Sequence, residues 1–206
     1  GYSMMAFLSA IEPLRVANRL SGRALFLWKA WTFDGKPAPA SNGMAIDTLG
    51  ALDPAQCPQT LIVVAGFGPE QAETRANLGL LRRLARQGVA LGALDTGPHL
   101  LAAAGLLEGH RACMHWEAVP GFREDFPDIA VSDELFGVSP GRFTCAGGTA
   151  ALDMMLHMIG LKHGQKLAVA VSEQFIHDRI RDRSSHQRMR PGARLGVTSK
   201  RLLRIV

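Results

Sequence analysis

The chain has 206 residues, 47% of them hydrophobic and 20% charged, which excludes a disordered chain and fits one domain able to bury roughly 70% of its unfolded surface without staples. No apolar run approaches the ~18 residues of a membrane span, the start Gly1-Tyr-Ser-Met-Met lacks the basic region of a signal peptide, and Cys57, Cys113 and Cys145 have no CxxC spacing, against a disulfide framework or a zinc site and in keeping with a reducing cytosol. The net charge of +5 is uneven: residues 178–206 hold nine cationic and two anionic side chains, a balance of +7 that leaves the first 177 residues at −2. A tail of that kind is either a solvated extension or a footing for an anionic partner such as nucleic acid.

Residues 4–20 carry apolar side chains at Met4, Phe7, Leu8, Ile11, Leu14 and Ala17, the 3.6-residue period of an amphipathic helix. Residues 24–33, aromatic and branched, predict a strand closed by the turn Asp34-Gly35. Residues 36–58 contain four of the eleven prolines and read as loop with a short strand at 44–46. Thr60-Leu-Ile-Val-Val-Ala65 is a continuous apolar run, as expected of a parallel strand buried on both faces. A helix is predicted over 70–87, a second buried strand over 89–94, and a helix from Pro98, suited to a first helical position, to near Gly105. Residues 111–114 predict a short strand and 116–125 a helix. Short strands follow at 130–132, 135–138 and 142–145, then helices from Gly147-Gly148 to 161 and over 165–176. Strands alternating with helices predict an α/β, doubly wound, mostly parallel sheet. Such a sheet ordinarily opens on a central strand, so the pattern expects a strand ahead of Gly1, and residues 199–206 predict the first turns of a further helix.

Ligands of open α/β sheets bind beyond the carboxyl ends of the strands. Two such ends are Ala65-Gly66-Phe67-Gly68 and Leu94-Asp95-Thr96-Gly97, each running from a buried strand towards a helix, where backbone N–H groups receive anions. Asp95 stands where hydrolases hold a strained nucleophile; it either carries chemistry or, with Thr96, caps the next helix. His115 is either a general base or a histidine bonded to backbone. No Ser or Cys stands at the elbow for it to activate. Cys145 reads as a small buried thiol, and the lone Gly66-Phe67-Gly68 is weak evidence for NAD. No cofactor or metal is expected.

Taken together, Ser3-Met-Met-Ala-Phe, Ala10-Ile-Glu-Pro-Leu-Arg15, the elbow, His115-Trp-Glu117, Asp133-Glu-Leu-Phe136, the run Thr144-Cys-Ala-Gly-Gly-Thr-Ala-Ala-Leu-Asp153 and Val171-Ser…Gln174-Phe-Ile…Arg179-Ile-Arg181 with Gln187-Arg-Met189 resemble the sensor domain of GlxA-type AraC-family transcriptional regulators. The resemblance covers nearly the whole chain. It implies a PfpI/ThiJ-like, class I glutamine amidotransferase-like domain with a three-layer flavodoxin-like sheet over residues 1–177. It also implies that residues 178–206 are a basic linker and the start of an AraC-type DNA-binding domain. Arg194-Leu-Gly-Val and Lys200-Arg-Leu-Leu-Arg204 resemble that linker and the domain's first helix; the two helix-turn-helix units are expected outside these 206 residues. Enzymes of the superfamily place a Cys at the elbow and a carboxylate on the first helix. Here Asp95 stands at the elbow position and Ala6 or a neighbour at the carboxylate position, and Glu12 matches a regulator motif instead. A thiolate is the nucleophile in that chemistry, so the resemblance implies a fold that kept a pocket and lost the reaction.

The expected function is therefore a cytoplasmic, homodimeric sensor of a small molecule, with DNA as the partner of the absent helix-turn-helix units and no membrane contact. In this reading Asp95 is a negative charge at the pocket floor, with His115 beside it. Trp116 offers an aromatic face for a cation such as quaternary ammonium. Gly66, Phe67 and Thr96 orient a ligand carboxylate. The family's relatives sense amino acids or betaine- and carnitine-like amines, which implies an amine or amino-acid-like effector. The competing readings are a hydrolase or amidotransferase-like enzyme using Asp95 and His115, and a dimerisation module with no ligand.

Overall fold

The computed structural model describes residues 1–56 and 58–188. The predicted helix at 199–206, the basic run 194–204 and Cys57 lie outside the described residues. The first helix, α1 (Met4–Ser21), begins where the Ser3 hydroxyl accepts from Ala6 N–H and ends at Gly22, whose φ of 65° only glycine adopts cheaply. It turns Ala6, Ala10, Val16 and Ala17 inward.

Strands β1 (Thr60–Ala65) and β2 (Ala90–Asp95), then β5 (Phe136–Ser139) and β6 (Arg142–Cys145), form one sheet in the order β1-β2-β6-β5. The first three of that order run parallel, and β5 pairs antiparallel with β6 through a tight turn. Short strands β3 (Ala112–Cys113) and β4 (Val131–Ser132) make a separate parallel pair. This pair is tied to the main sheet where Cys113 N–H donates to the Thr144 hydroxyl at 2.9 Å.

Helices cover both faces, as the doubly wound pattern predicts. On one side α2 (Arg75–Arg86), α3 (Pro98–Ala103) and α4 (Val119–Asp125) bring Leu81, Leu84, Leu100, Leu101 and Phe122 onto Val63, Leu91 and Ala93. On the other, α1 and α5 (Ala150–His163) close Ala6, Ala10, Met154 and Met155 over Leu94, Phe136 and Phe143. Helix α6 (Gln165–Gln174) adds Ala168 and Val171 against Val16, Leu156 and Ile159. Each fully buried leucine contributes about 2 kcal/mol of transfer free energy, so three layers are what this pattern of alternating apolar residues stabilises. Gly92 is required in β2 because a Cβ there would lie 2.0 Å from the Phe143 ring. No helix of the described residues is long and apolar enough to cross a membrane.

Several elements differ from expectation. Residues 24–33 form no strand: Asn18 of α1 bonds both Phe26 N–H and Phe26 O through its side chain, and only an isolated bridge joins Thr32 to Ala51. The predicted strand at 44–46 is reduced to a bridge between Pro39 and Ala45. The helix predicted over 70–87 is a 3₁₀ turn, Pro69–Ala72, followed by α2, because Thr74 caps a fresh helix by accepting from Asn77 N–H. Strand β1 is only partly buried, since it ends the order of the sheet. Helix α4 starts later than predicted, at Val119.

Beyond α6 the chain folds back. Asp153, fully buried in the first turn of α5, accepts from His177 Nε2 at 2.9 Å, from Arg181 N–H at 2.7 Å and from Arg181 Nε at 2.8 Å. Arg181 also donates to the Thr149 hydroxyl. Removing one side of a buried ion pair strands the other charge. Asp153→Ala is expected to cost about 3 kcal/mol, lowering Tm by roughly 6–12 °C in a chain of this size. Thermal and denaturant unfolding read this directly, and an unchanged midpoint would contradict the anchoring role.

Candidate functional site

The parallel register aligns Ala65 with Asp95 and Leu94 with Cys145, so β1, β2 and β6 end side by side. Asp95 closes β2 at φ 62°, a left-handed conformation that Asp tolerates better than most residues but at a cost of roughly 1–3 kcal/mol. The turn has room only because its neighbours are glycines. A Cβ on Gly147 would lie 2.8 Å from both Cβ and Oδ2 of Asp95, and one on Gly97 would lie 2.5 Å from Val63 O. Gly97 N–H donates to Leu94 O at 2.9 Å, and His115 N–H to Asp95 O at 3.0 Å. The elbow backbone is thus held from its own strand and from the loop after β3.

The Asp95 carboxyl lies above the ordinary carboxylate range, chiefly because burial penalises its charged form. A hydrogen bond from Ser3 and the attraction of His115 oppose this, while repulsion from Glu117 adds to it. His115 is about a third exposed, its Nδ1 4.0 Å from Glu117 Oε2. Glu117 N–H donates to that same Nδ1 at 3.4 Å, which favours the tautomer with its proton on Nε2. The His115 and Trp116 rings lie 5.6 Å apart and tilted by 33°. The outer face of Trp116 carries the Arg188 guanidinium, its carbon 4.2 Å from the ring centroid.

Neither described thiol is reactive. Burial pushes Cys145 up to about 12 and Cys113 up to about 11, so both stay protonated near neutrality. Cys145 is the buried thiol the sequence suggested. Among the described residues no cluster of His, Cys, Asp and Glu is arranged to hold a metal ion. A cleft of about 220 Å³ opens elsewhere, between His110, Ser139, Arg142 and Arg183.

Of the residues singled out in the sequence, the fold brings Asp95 and His115 together, with Trp116 next to His115 in the same loop. Gly66 and Thr96 also reach the elbow, but their donors are engaged within the chain. Gly66 N–H donates to Gly1 O, and the Thr96 hydroxyl donates to Gly66 O. They shape the turn, and these two groups are not open to a ligand carboxylate. Phe67 is 85% exposed at the rim. Glu12 is on an exposed face of α1, paired with Arg15 at 2.6 Å. Sequence reasoning missed that Ser3 and Gly147 meet Asp95 and that Arg188 stacks on Trp116. Ser3 and Gly147 belong to motifs already quoted, but nothing local ties them to Asp95, from which they are separated by 92 and 52 positions.

No protein-family model matches the chain. Over its full length the chain is 49% identical to the HTH-type transcriptional regulator CdhR of Pseudomonas aeruginosa, of which it spans 61%. It is likewise 34% identical to the HTH-type transcriptional regulator GlxA of Rhizobium meliloti, of which it spans 64%. The chain therefore spans about three fifths of the length of these curated relatives. Among solved structures, an AraC family transcriptional regulator from Pseudomonas putida matches with a TM-score of 0.74 at 26% identity, over 84% of this chain and 94% of that one. A ThiJ/PfpI family protein from Pseudomonas syringae matches at 0.67 and 22% identity, over 87% of this chain and 73% of that one, a likeness of fold alone. Along its whole length the chain is thus similar to part of HTH-type transcriptional regulators, and its flavodoxin-like sheet is shared with an AraC family regulator and with ThiJ/PfpI proteins.

Proposed function

We propose that this chain is the ligand-sensing and dimerising part of a cytoplasmic transcriptional regulator. In this proposal it is a non-catalytic relative of the ThiJ/PfpI enzymes, and its effector is a small amine or amino-acid-like molecule. Residues 1–177 form the sensor, and residues 178–206 lead towards a helix-turn-helix domain that contacts DNA. The observation that carries the reading is Asp95 at the strained elbow. A carboxylate there is a poor substitute for a thiolate nucleophile, and the two described cysteines are buried and protonated. What Asp95 offers instead is a partly buried negative charge with Ser3 and His115 beside it, and Trp116 follows His115 in the same loop with its ring 5.6 Å from the imidazole. That combination suits a cation with an apolar surface, such as a substituted ammonium group. Phe67 forms the rim, and Gly66 and Thr96 hold the elbow's shape.

A thermal-shift panel of trimethylglycine, carnitine and free amino acids tests this. At least one compound is expected to raise Tm, and Asp95→Ala to abolish the rise; indifference of both proteins to every compound sinks the assignment. Mass spectrometry after incubation with activated esters is expected to find Asp95 unmodified, and a covalent adduct there would favour the hydrolase reading.

Binding should also depend on pH. Burial favours the protonated form of Asp95 in the free protein, whereas a bound cation favours the ionised form. Affinity is therefore expected to be full well above the raised Asp95 pKa and to fall as pH drops through it, at a pH higher than an ordinary aspartate would require. Titration calorimetry across pH reads this, and Asp95→Asn should flatten the profile.

The basic tail predicts weak DNA binding through phosphates alone. In electrophoretic shifts the 206-residue chain is expected to show no sequence preference and to release DNA as salt rises. A salt-resistant, sequence-specific complex would contradict the division of labour proposed here.

A further inference from the structure

The segment after α6 runs from the first turn of α5, along residues 133–135, to the loop after β3. It enters through Ile176, a β-branched residue held at φ 55° and 94% exposed, an unfavourable turn that the following contacts must hold. Its near end is fixed by the buried Asp153 carboxylate through His177 and Arg181. Further along, Leu135 N–H donates to Arg183 O at 3.0 Å, and His186 bridges to Glu134 and bonds Asp133 at 2.9 Å. Gln187 Nε2 donates to Met114 O and Glu134 O, each at 3.0 Å, and its backbone N–H to Asp133 O at 3.4 Å. The segment ends, among the described residues, with Arg188 stacked on Trp116.

The two ends of this strap are unequal. The near end rests on a fully buried, multiply bonded carboxylate. The far end rests on exposed residues: His186 and Asp133 have side chains 63% and 79% exposed, where an ion pair contributes little. Gln187 Oε1 is buried with no hydrogen-bond partner among the described residues, an unmet acceptor that release of the strap would satisfy with water. The far end is therefore the part that opens at least cost.

Resting on the proposed effector site, we infer that Arg188 is an internal occupant of that site: its guanidinium sits on the Trp116 face that the effector's cation takes, so effector binding displaces it and frees residues 186–188 while the Asp153 anchor holds. The chain runs from Arg188 directly into its basic segment, so occupancy at Asp95 is transmitted to the downstream chain by competition for one aromatic ring. The same competition sets specificity. A cation that touches only Trp116 merely exchanges with Arg188, whereas one that also engages the Asp95 carboxylate gains a contact that Arg188 on its ring lacks.

The test uses the 206-residue chain with trimethylglycine, and with tetramethylammonium as a cation lacking a carboxylate. Calorimetry is expected to show Arg188→Ala binding trimethylglycine about two- to fivefold more tightly than the parent, the worth of one exposed cation–aromatic contact. Arg188→Lys, which keeps a cation, should stay close to the parent. Hydrogen-exchange mass spectrometry should show saturating trimethylglycine accelerating exchange in peptides covering 183–188 and leaving the Arg181 amide protected. Binding that requires Asp95 but is equally tight in Arg188→Ala, or a strap whose exchange ignores the ligand, overturns the inference and leaves the effector site standing. Absence of binding to the parent, to Arg188→Ala and to Asp95→Ala alike, for both probes, overturns the effector site together with the strap.

Discussion

The left-handed backbone at Asp95 is the constraint around which this molecule is arranged. A residue held at φ 62° ends β2 beside the ends of β1 and β6, with its side chain against Gly147. It persists only because its surroundings over-determine it. Gly147 yields the volume its side chain needs, Gly97 lets the chain turn under Val63, and His115 N–H holds its carbonyl. Both helical layers contribute, because Leu94 packs with α1 and α5 while Leu91 and Ala93 pack with α2 and α3. The elbow is strained, and the two hydrophobic clusters supply the rigidity that keeps it so.

The elbow is occupied by a carboxylate, while both described thiols are buried elsewhere, in β3 and β6. Burial raises the cost of that charge, and the neighbouring groups only partly offset it. A charge held above its comfort in a low-dielectric site is an unfinished ion pair. A cation brought to it would favour its ionised form. Arg188 lies over Trp116, in the loop after β3 whose His115 N–H holds the elbow carbonyl. It arrives there on a segment anchored by the buried Asp153 carboxylate.

Much of this was legible in the residues. The apolar run of β1, the small-residue strand ending in Asp95, and the amphipathic helices all appear near their predicted positions, because periodicity and capping act locally. The long motif from Thr144 to Asp153 did more than carry a resemblance: it contains β6's end, the glycine that makes room for Asp95 and the carboxylate that anchors the strap. The failures were of a different kind. Residues 24–33 have strand composition, yet Asn18 takes the backbone bonds of Phe26, and Ala30 and Thr32 pair only with residues 49–52, so no ladder forms. Thr74 divides a stretch that periodicity alone joins into one helix.

The sequence by itself determined the layer architecture, the position of the elbow and the fact that a carboxylate rather than a thiol stands there, since all three follow from the order of residue types along the chain. Only the tertiary structure decided which side chains meet at that elbow. Ser3 and Gly147 come to Asp95 because register places three strand ends side by side, and Arg188 comes to Trp116 because a buried carboxylate turns the chain back. It also decided that the Gly66 and Thr96 donors are spent within the turn, for hydrogen bonds between segments far apart in the chain depend on packing, which no local pattern encodes.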